Sequence, residues 1–377
     1  MMGSFNQKDT ERNACQLWGK LAWKGYDWWW HSFTGITRNT GEEKAFFVEY
    51  FLCNPALGQA EPIYGQDPEC LKNEWWPSYL MVKAGCWGED ARQLHRFFGW
   101  EDVSVYGTKS YRLWAGDCRA SETLIRGSVK VTEEEAKEHP EWLCQAGEMQ
   151  WNLKVKKQIA FNVGYGAGEL MRRLNAFEMY WHAEGMKTAY DGEVILDGEI
   201  YDVKPETCYG YADKNWGSNF TTPWIWLSSN DIVRKRDGKR FKNTVFDIGG
   251  GRPRVFGIGL DRILLGALYL EGKPIEFNFS KFWTGAKTKF HCKETEEKII
   301  WHVEQENWNF CMQTNVHCDR KDMLFVNYEA PDGSRVHQRL WNGGTGRGWI
   351  KLYRKERGKR VLIDTFLIGH VGCEYGE

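Results

Sequence analysis

Apolar positions in this chain recur at every second residue far more often than at helical spacing. WIWLSS, Trp224 to Ser229, sets Trp224, Trp226 and Ser228 on one side and Ile225 and Leu227 on the other. KAFFVEYFLCNP, MQWNLKVKK, AFEMYWHAEG and EVILDGEIYDV read as strands too, with Asp197-Gly198 as a two-residue type I′ turn signal. Asp237-Gly238 and Asp332-Gly333 are further hairpin signals, the latter expected to join MLFVNYEA to SRVHQRLW. Helix is the minority state: Thr132 to Glu135 has capping-box spacing, and the polar stretch from Met1 to Leu21 is expected to be a loosely held arm. The pattern predicts an all-β protein of antiparallel strands with few short helices, closed into barrels or sandwiches.

A chain of 377 residues exceeds what one core usually sustains, so two domains are expected. The boundary is placed near Gly250, where the charged RKRDGKR turn and the Gly249 to Gly251 triplet interrupt the alternation. This gives domains of 1–250 and 251–377, with the pocket in the first.

Composition narrows the partners. Lys and Arg number 50 against 51 Asp and Glu, with no basic block interleaved with aromatics, so no nucleic-acid partner is expected. Aromatic residues make up 15% of the chain, 21 of them Trp, which suits sheets around an apolar cavity that takes an apolar or aromatic small molecule. Eleven cysteines without a C-x-x-C pair argue against a disulfide framework and for a cytoplasmic location, and no metal is expected. The glycine triplet is not followed by a helix-period run or GK[ST], so no nucleotide cofactor is expected either. No apolar run is long enough to span a membrane as a helix.

The candidate chemistry sits in YADKNWGSNFTTPWIW, Tyr211 to Trp226, and in WKGYDWWWHSFTG, Trp23 to Gly35. Asp213 beside Trp216 is a carboxyl whose proton burial would retain, provided that Lys214 points away as the next residue of a strand does. Asp27 heads three consecutive tryptophans and is the expected second acid, sharing or relaying the proton. Trp28, Trp29, Trp216 and Trp226 are the expected walls, because an indole face attracts a cation by about 2 kcal/mol when desolvated. Tyr50, Asn215 and His182 are the groups that could orient a nucleophile, Tyr50 first. Each also has a structural reading, as ordinary core for the indoles and as a packing residue for His182.

YADKNWG followed by WIW resembles the Y-A-E-K-N-W-G and W-x-W of the tocopherol cyclase family, within the lipocalin-like group that includes carotenoid 1,2-hydratases. WKGYDWWW is similar to the cyclase F-E-G-W-Y segment and DWWWHSFTG to the hydratase E-W-W-Y-x-x-G. KAFFVEYFLCNPA, WPSYLMVKAGCWG and FLIGHVGCEYG follow in the family's order. Lys24 and Cys53 stand where the cyclase pattern has acids. The resemblance implies two consecutive lipocalin-like β-barrels and a cofactor-independent isomerase that protonates an alkene of a prenylated or phenolic substrate and closes an oxygen ring. The alternatives are a hydratase that adds water to the alkene, a pericyclic cyclase whose pocket only folds its substrate, and a barrel that binds an apolar molecule without chemistry.

Overall fold

The computed structural model describes residues 2–161, 170, 173–261, 263–279 and 281–377. Apart from the short pair Arg254–Val255 and Ile258–Gly259, its described strands form two large antiparallel sheets, one from Met2–Ser4 to Gly210–Gly217 and the other from Trp224–Ser229 to Lys359–Gly376. The fold is all-β and lipocalin-like, each sheet curling around its own core. Trp29, Phe33, Tyr50, Tyr111 and Tyr190 fill the first barrel, while Ile225, Leu227, Trp301 and Phe366 fill the second. A third apolar cluster, with Trp30, Phe51, Trp181, Trp224 and Trp226, lies between them.

The sheets change over at residues 218–223, earlier than the sequence suggested. Gly250 lies inside the strand Thr244–Gly251 of the second sheet. The triplet looked like a break because glycine weakens a strand, but here it admits a neighbour. A Cβ on Gly249 would stand 2.7 Å from the indole of Trp181, which comes from the first sheet.

The strands that carry the site are β1 (Tyr26–Thr37), β2 (Glu43–Cys53), β3 (Tyr79–Trp87), β4 (Met179–Leu196) and β5 (Gly210–Gly217) in the first sheet. The second sheet supplies β6 (Trp224–Ser229), β7 (Thr244–Gly251), β8 (Leu340–Glu356) and β9 (Lys359–Gly376). Asp197 and Gly198 both have positive φ, as their type I′ turn requires, and Thr132 closes a capping box with Glu135.

Two local expectations fail. Residues 327–339 form no hairpin strand pair about Asp332-Gly333. They are irregular and carry Tyr328, Glu329, Arg335 and His337 against the first sheet's outer face. The N-terminal stretch is not loose: the capped helix Gln7–Arg12 buries Asp9. Asn13 beyond it accepts from Trp29 Nε1 (2.8 Å) and donates to Glu122 (2.9 Å). These contacts stopper the first barrel. Among the described residues no helix is long and apolar enough to cross a membrane, and no cluster of acids, histidines or cysteines suits a metal ion.

Candidate active site between the barrels

Strand alternation divides the sequence candidates between two faces. On β1, Asp27 and Trp29 point into the first barrel while Trp28 and Trp30 point towards the second sheet. On β5, Asp213 stands opposite Trp30 and so faces the second sheet, whereas Trp216 stands opposite Asp27.

The inward face is a closed polar network. Lys214 pairs with Asp27, lies 3.8 Å from the Trp29 ring centroid, and shares no face with Asp213. Gln16 donates its backbone N–H to the other Asp27 oxygen (2.7 Å). His182 bonds Asn13 (3.0 Å) and is pushed down to about 4 by burial, which outweighs the nearby Asp9. Tyr50 donates to the Arg119 carbonyl (3.3 Å) and accepts from Trp151 (3.2 Å). Trp216 stacks on Tyr180 at 5.3 Å. Asp27, Trp29, Tyr50, His182 and Trp216 therefore do not gather around Asp213. The interior that sequence reasoning took for a pocket is filled by side chains and closed by the N-terminal segment.

The outward face holds the acids. Asp213 accepts from Trp181 Nε1 (2.8 Å) and from the Tyr211 hydroxyl (3.1 Å), and the same hydroxyl lies 2.9 Å from Asp247 on β7. Trp226 reaches the Tyr211 oxygen at 3.3 Å. One hydroxyl has one proton, so it satisfies two carboxyl groups only if one of them is itself protonated and donates back. Electrostatics agree. Burial pushes Asp213 well above the usual carboxylate range, and it does the same to Asp247, which the charge of Asp213 raises further. Asp247 is fully buried while Asp213 retains 8% exposure, so Asp213 is the accessible member.

Glu374 on β9 is a third acid on this face, opposite Trp226. Its two oxygens accept from Trp224 Nε1 and Asn342 Nδ2, each at 2.6 Å, and burial raises its pKa. Trp87 Nε1 donates to Asn342 (2.8 Å), tying the first sheet to the second. Next to these groups lies a narrow cavity of about 10 Å³ lined by Trp28, Phe220, Trp224, Tyr328, Leu340 and Glu374. The Trp224 ring is 6.4 Å from Trp181, the indole that donates to Asp213. Asn215 accepts from Tyr26 (2.7 Å) and stands opposite Trp28 on the same face of the sheet; its Nδ2 and the Trp28 Nε1 make no hydrogen bond.

Of the sequence candidates, Asp213, Trp28, Trp226 and Asn215 thus come to one face. Asp247, Tyr211, Trp181, Trp224 and Glu374 were not singled out as site residues. The signal for Asp247 and Glu374 was a lone acid in a strand otherwise apolar or glycine-rich, TVFDIGGG and HVGCEYG. Nothing in the one-dimensional pattern set those strands against YADKNWG.

A family profile described as tocopherol cyclase-like matches residues 71–376. Two solved structures are similar in course. One, described as an AttH from Nitrosomonas europaea, has a TM-score of 0.45 and 12% identity, covering 93% of this chain and 92% of that one. Kievitone hydratase from Nectria haematococca has a TM-score of 0.41 and 11% identity, covering 92% of this chain and 88% of that one. A comparison with curated protein sequences finds no match.

Proposed function

The chain belongs to the tocopherol cyclase-like family, and we propose that it is a cofactor-independent isomerase that protonates an alkene of an apolar substrate held between its barrels and closes an oxygen ring. The observation that carries this reading is the Tyr211 hydroxyl shared by the carboxyls of Asp213 and Asp247. Burial raises both carboxyls well above the usual carboxylate range, and the nearness of Asp213 raises Asp247 further, so the pair retains a proton to donate.

Asp213 delivers its proton to one alkene carbon, leaving a tertiary carbocation at the other. A hydroxyl oxygen of the same molecule forms the new C–O bond, and its proton passes to Glu374, whose oxygens already accept hydrogen bonds at the cavity wall. Exchange with solvent returns Glu374 and Asp213 to their starting states, so the net change is an isomerisation. Trp28 and Trp224 line the cavity and offer indole faces to the cation. Asp247 and Tyr211 act through Asp213 and are positioning residues.

The test is turnover of a prenylated hydroquinone in D₂O. One deuterium per product at the protonated carbon is expected, and Asp213→Asn should lower the rate by about 10² to 10⁴ at unchanged melting temperature. A product without solvent deuterium would mark a pericyclic reaction. An alcohol carrying solvent oxygen would mark hydration, and retention of more than about a tenth of the rate by Asp213→Asn would remove it as the donor.

A further inference from the structure

We infer that Lys83 forms a second subsite between the barrels, binding the anionic oxygen, a carboxylate or an enolate, of an amphipathic ligand. The inference rests on the reading of this space as the substrate site.

It starts from a row across the first sheet. Asp213, Trp30, Glu49, Lys83 and His95 stand directly opposite one another on successive strands, so their side chains share the outward face. At about 4.8 Å per strand, Lys83 is about 14 Å along the sheet from Asp213.

Past Asp213, every member of the row is buried and keeps an idle polar atom. Trp30 Nε1, Glu49 Oε1, Lys83 Nζ and His95 Nδ1 make no hydrogen bond. Lys83 is 1% exposed and its charge is paired with the buried Glu49, yet its ammonium keeps protons that this one partner does not take. Its partners are Glu49 Oε2, in an ion pair at 3.3 Å, and the face of Tyr328, whose ring centroid is 3.9 Å away. That Glu49 oxygen already accepts from the Tyr328 hydroxyl (3.0 Å), and burial raises the Glu49 pKa against the pull of Lys83.

A narrow cleft of about 30 Å³ runs between Tyr64, Phe97, Trp142 and Arg335 to Tyr328 and His95, the two residues that flank Lys83. Glu141 and Glu329 also line it, so its mouth is not uniformly basic. Tyr328 lines both this cleft and the cavity beside Glu374, forming the wall between them from the irregular segment 327–339. An oxyanion at Lys83 would take the ammonium protons that no protein acceptor uses. Its tail could then lie along the aromatic face towards Asp213. A neutral ester or alcohol offers a much weaker acceptor.

The experiment titrates cis-parinaric acid, a fluorescent polyene carboxylate, and its methyl ester into the full-length protein. The acid should bind about tenfold tighter or more. Lys83→Met should abolish that preference, while Lys83→Arg and Asp213→Asn should keep it. Equal affinity for acid and ester, or no binding of either, overturns the subsite with the wild-type protein alone, even if Lys83→Met does not fold. A preference that survives in folded Lys83→Met overturns it as well. Full turnover by Asp213→Asn with the acid preference intact would sink the catalytic reading and leave this subsite standing.

Discussion

Asp27 and Asp213 lie on hydrogen-bonded neighbouring strands yet point to opposite faces of one sheet, Asp27 towards Lys214 inside the first barrel and Asp213 towards Asp247 on the second sheet. Burial raises both carboxyls, but Asp27 has an ammonium and a backbone N–H, while Asp213 shares a phenol with a second acid. One is built to hold a charge and the other to hold a proton.

Separating the two gives a first prediction. Lys214→Met should destabilise the protein by about 3 to 5 kcal/mol, because it strands a buried carboxylate. Asp27→Asn/Lys214→Met should recover part of that loss. Urea melts measure both, and the alkaline limb of the pH-rate profile should stay in place in each folded variant. Movement of that limb in Asp27→Asn would restore Asp27 as a proton relay.

Tyr211→Phe tests the shared hydroxyl. The bond from Tyr211 stabilises the charged form of Asp213, so its loss should raise the donor's pKa further. A group that must be protonated to act loses activity as pH rises through its pKa. The alkaline limb of kcat should therefore move to higher pH, with a lower plateau because the donor is less well oriented. A limb that moves to lower pH would contradict the assignment.

Gly372→Ala probes how closely Trp226 lies over the neighbouring strand of its own sheet. The added Cβ would lie 2.3 Å from the Trp226 ring, so the indole or β9 must shift, at a cost of about 1 to 3 kcal/mol. Near-UV circular dichroism should change with it. Gly3→Ala, where nothing lies within 4 Å and φ is ordinary, is the control and should melt like the wild type.

His370 at the rim of the interface predicts an alkaline weakness. Its ring bonds Asp231 at 2.7 Å and Glu43 of the first sheet at 2.6 Å, and it stacks on Tyr209 at 3.8 Å. Burial opposes its charge, but the two carboxylates outweigh burial and hold its pKa up to about 9. A pKa raised above the unfolded value of about 6.5 adds stability that is complete below pH 6.5 and lost as pH rises through about 9. The ring is partly exposed, so the contribution is discounted to about 1 to 2 kcal/mol. His370→Gln should lower the melting temperature at pH 6 and change it little at pH 10; an equal drop at both would rule out the ion pairs.

Particular residues show how far the chain could be read in one dimension. The alternation in WIWLSS and the Asp197-Gly198 turn determined strands and hairpins, because side-chain direction and φ preference are local properties. The same alternation separated Asp213 from Lys214. It also put Asp27 and Trp29 on one face and Trp28 on the other. YADKNWG and WIW carried the family resemblance for the same reason, as contiguous words. Which face of the sheet holds the site was decided only in three dimensions. The first barrel's interior had to be seen filled by Tyr50, His182 and the stopper at Asn13 before the outer face could be preferred. Asp213 and Asp247 are far apart in sequence and belong to different sheets, and their union through Tyr211 depends on how two curved surfaces meet. The glycine triplet gives the reason in miniature. Its local meaning is a weak strand, and its actual role, room for Trp181, exists only once the other barrel is in place.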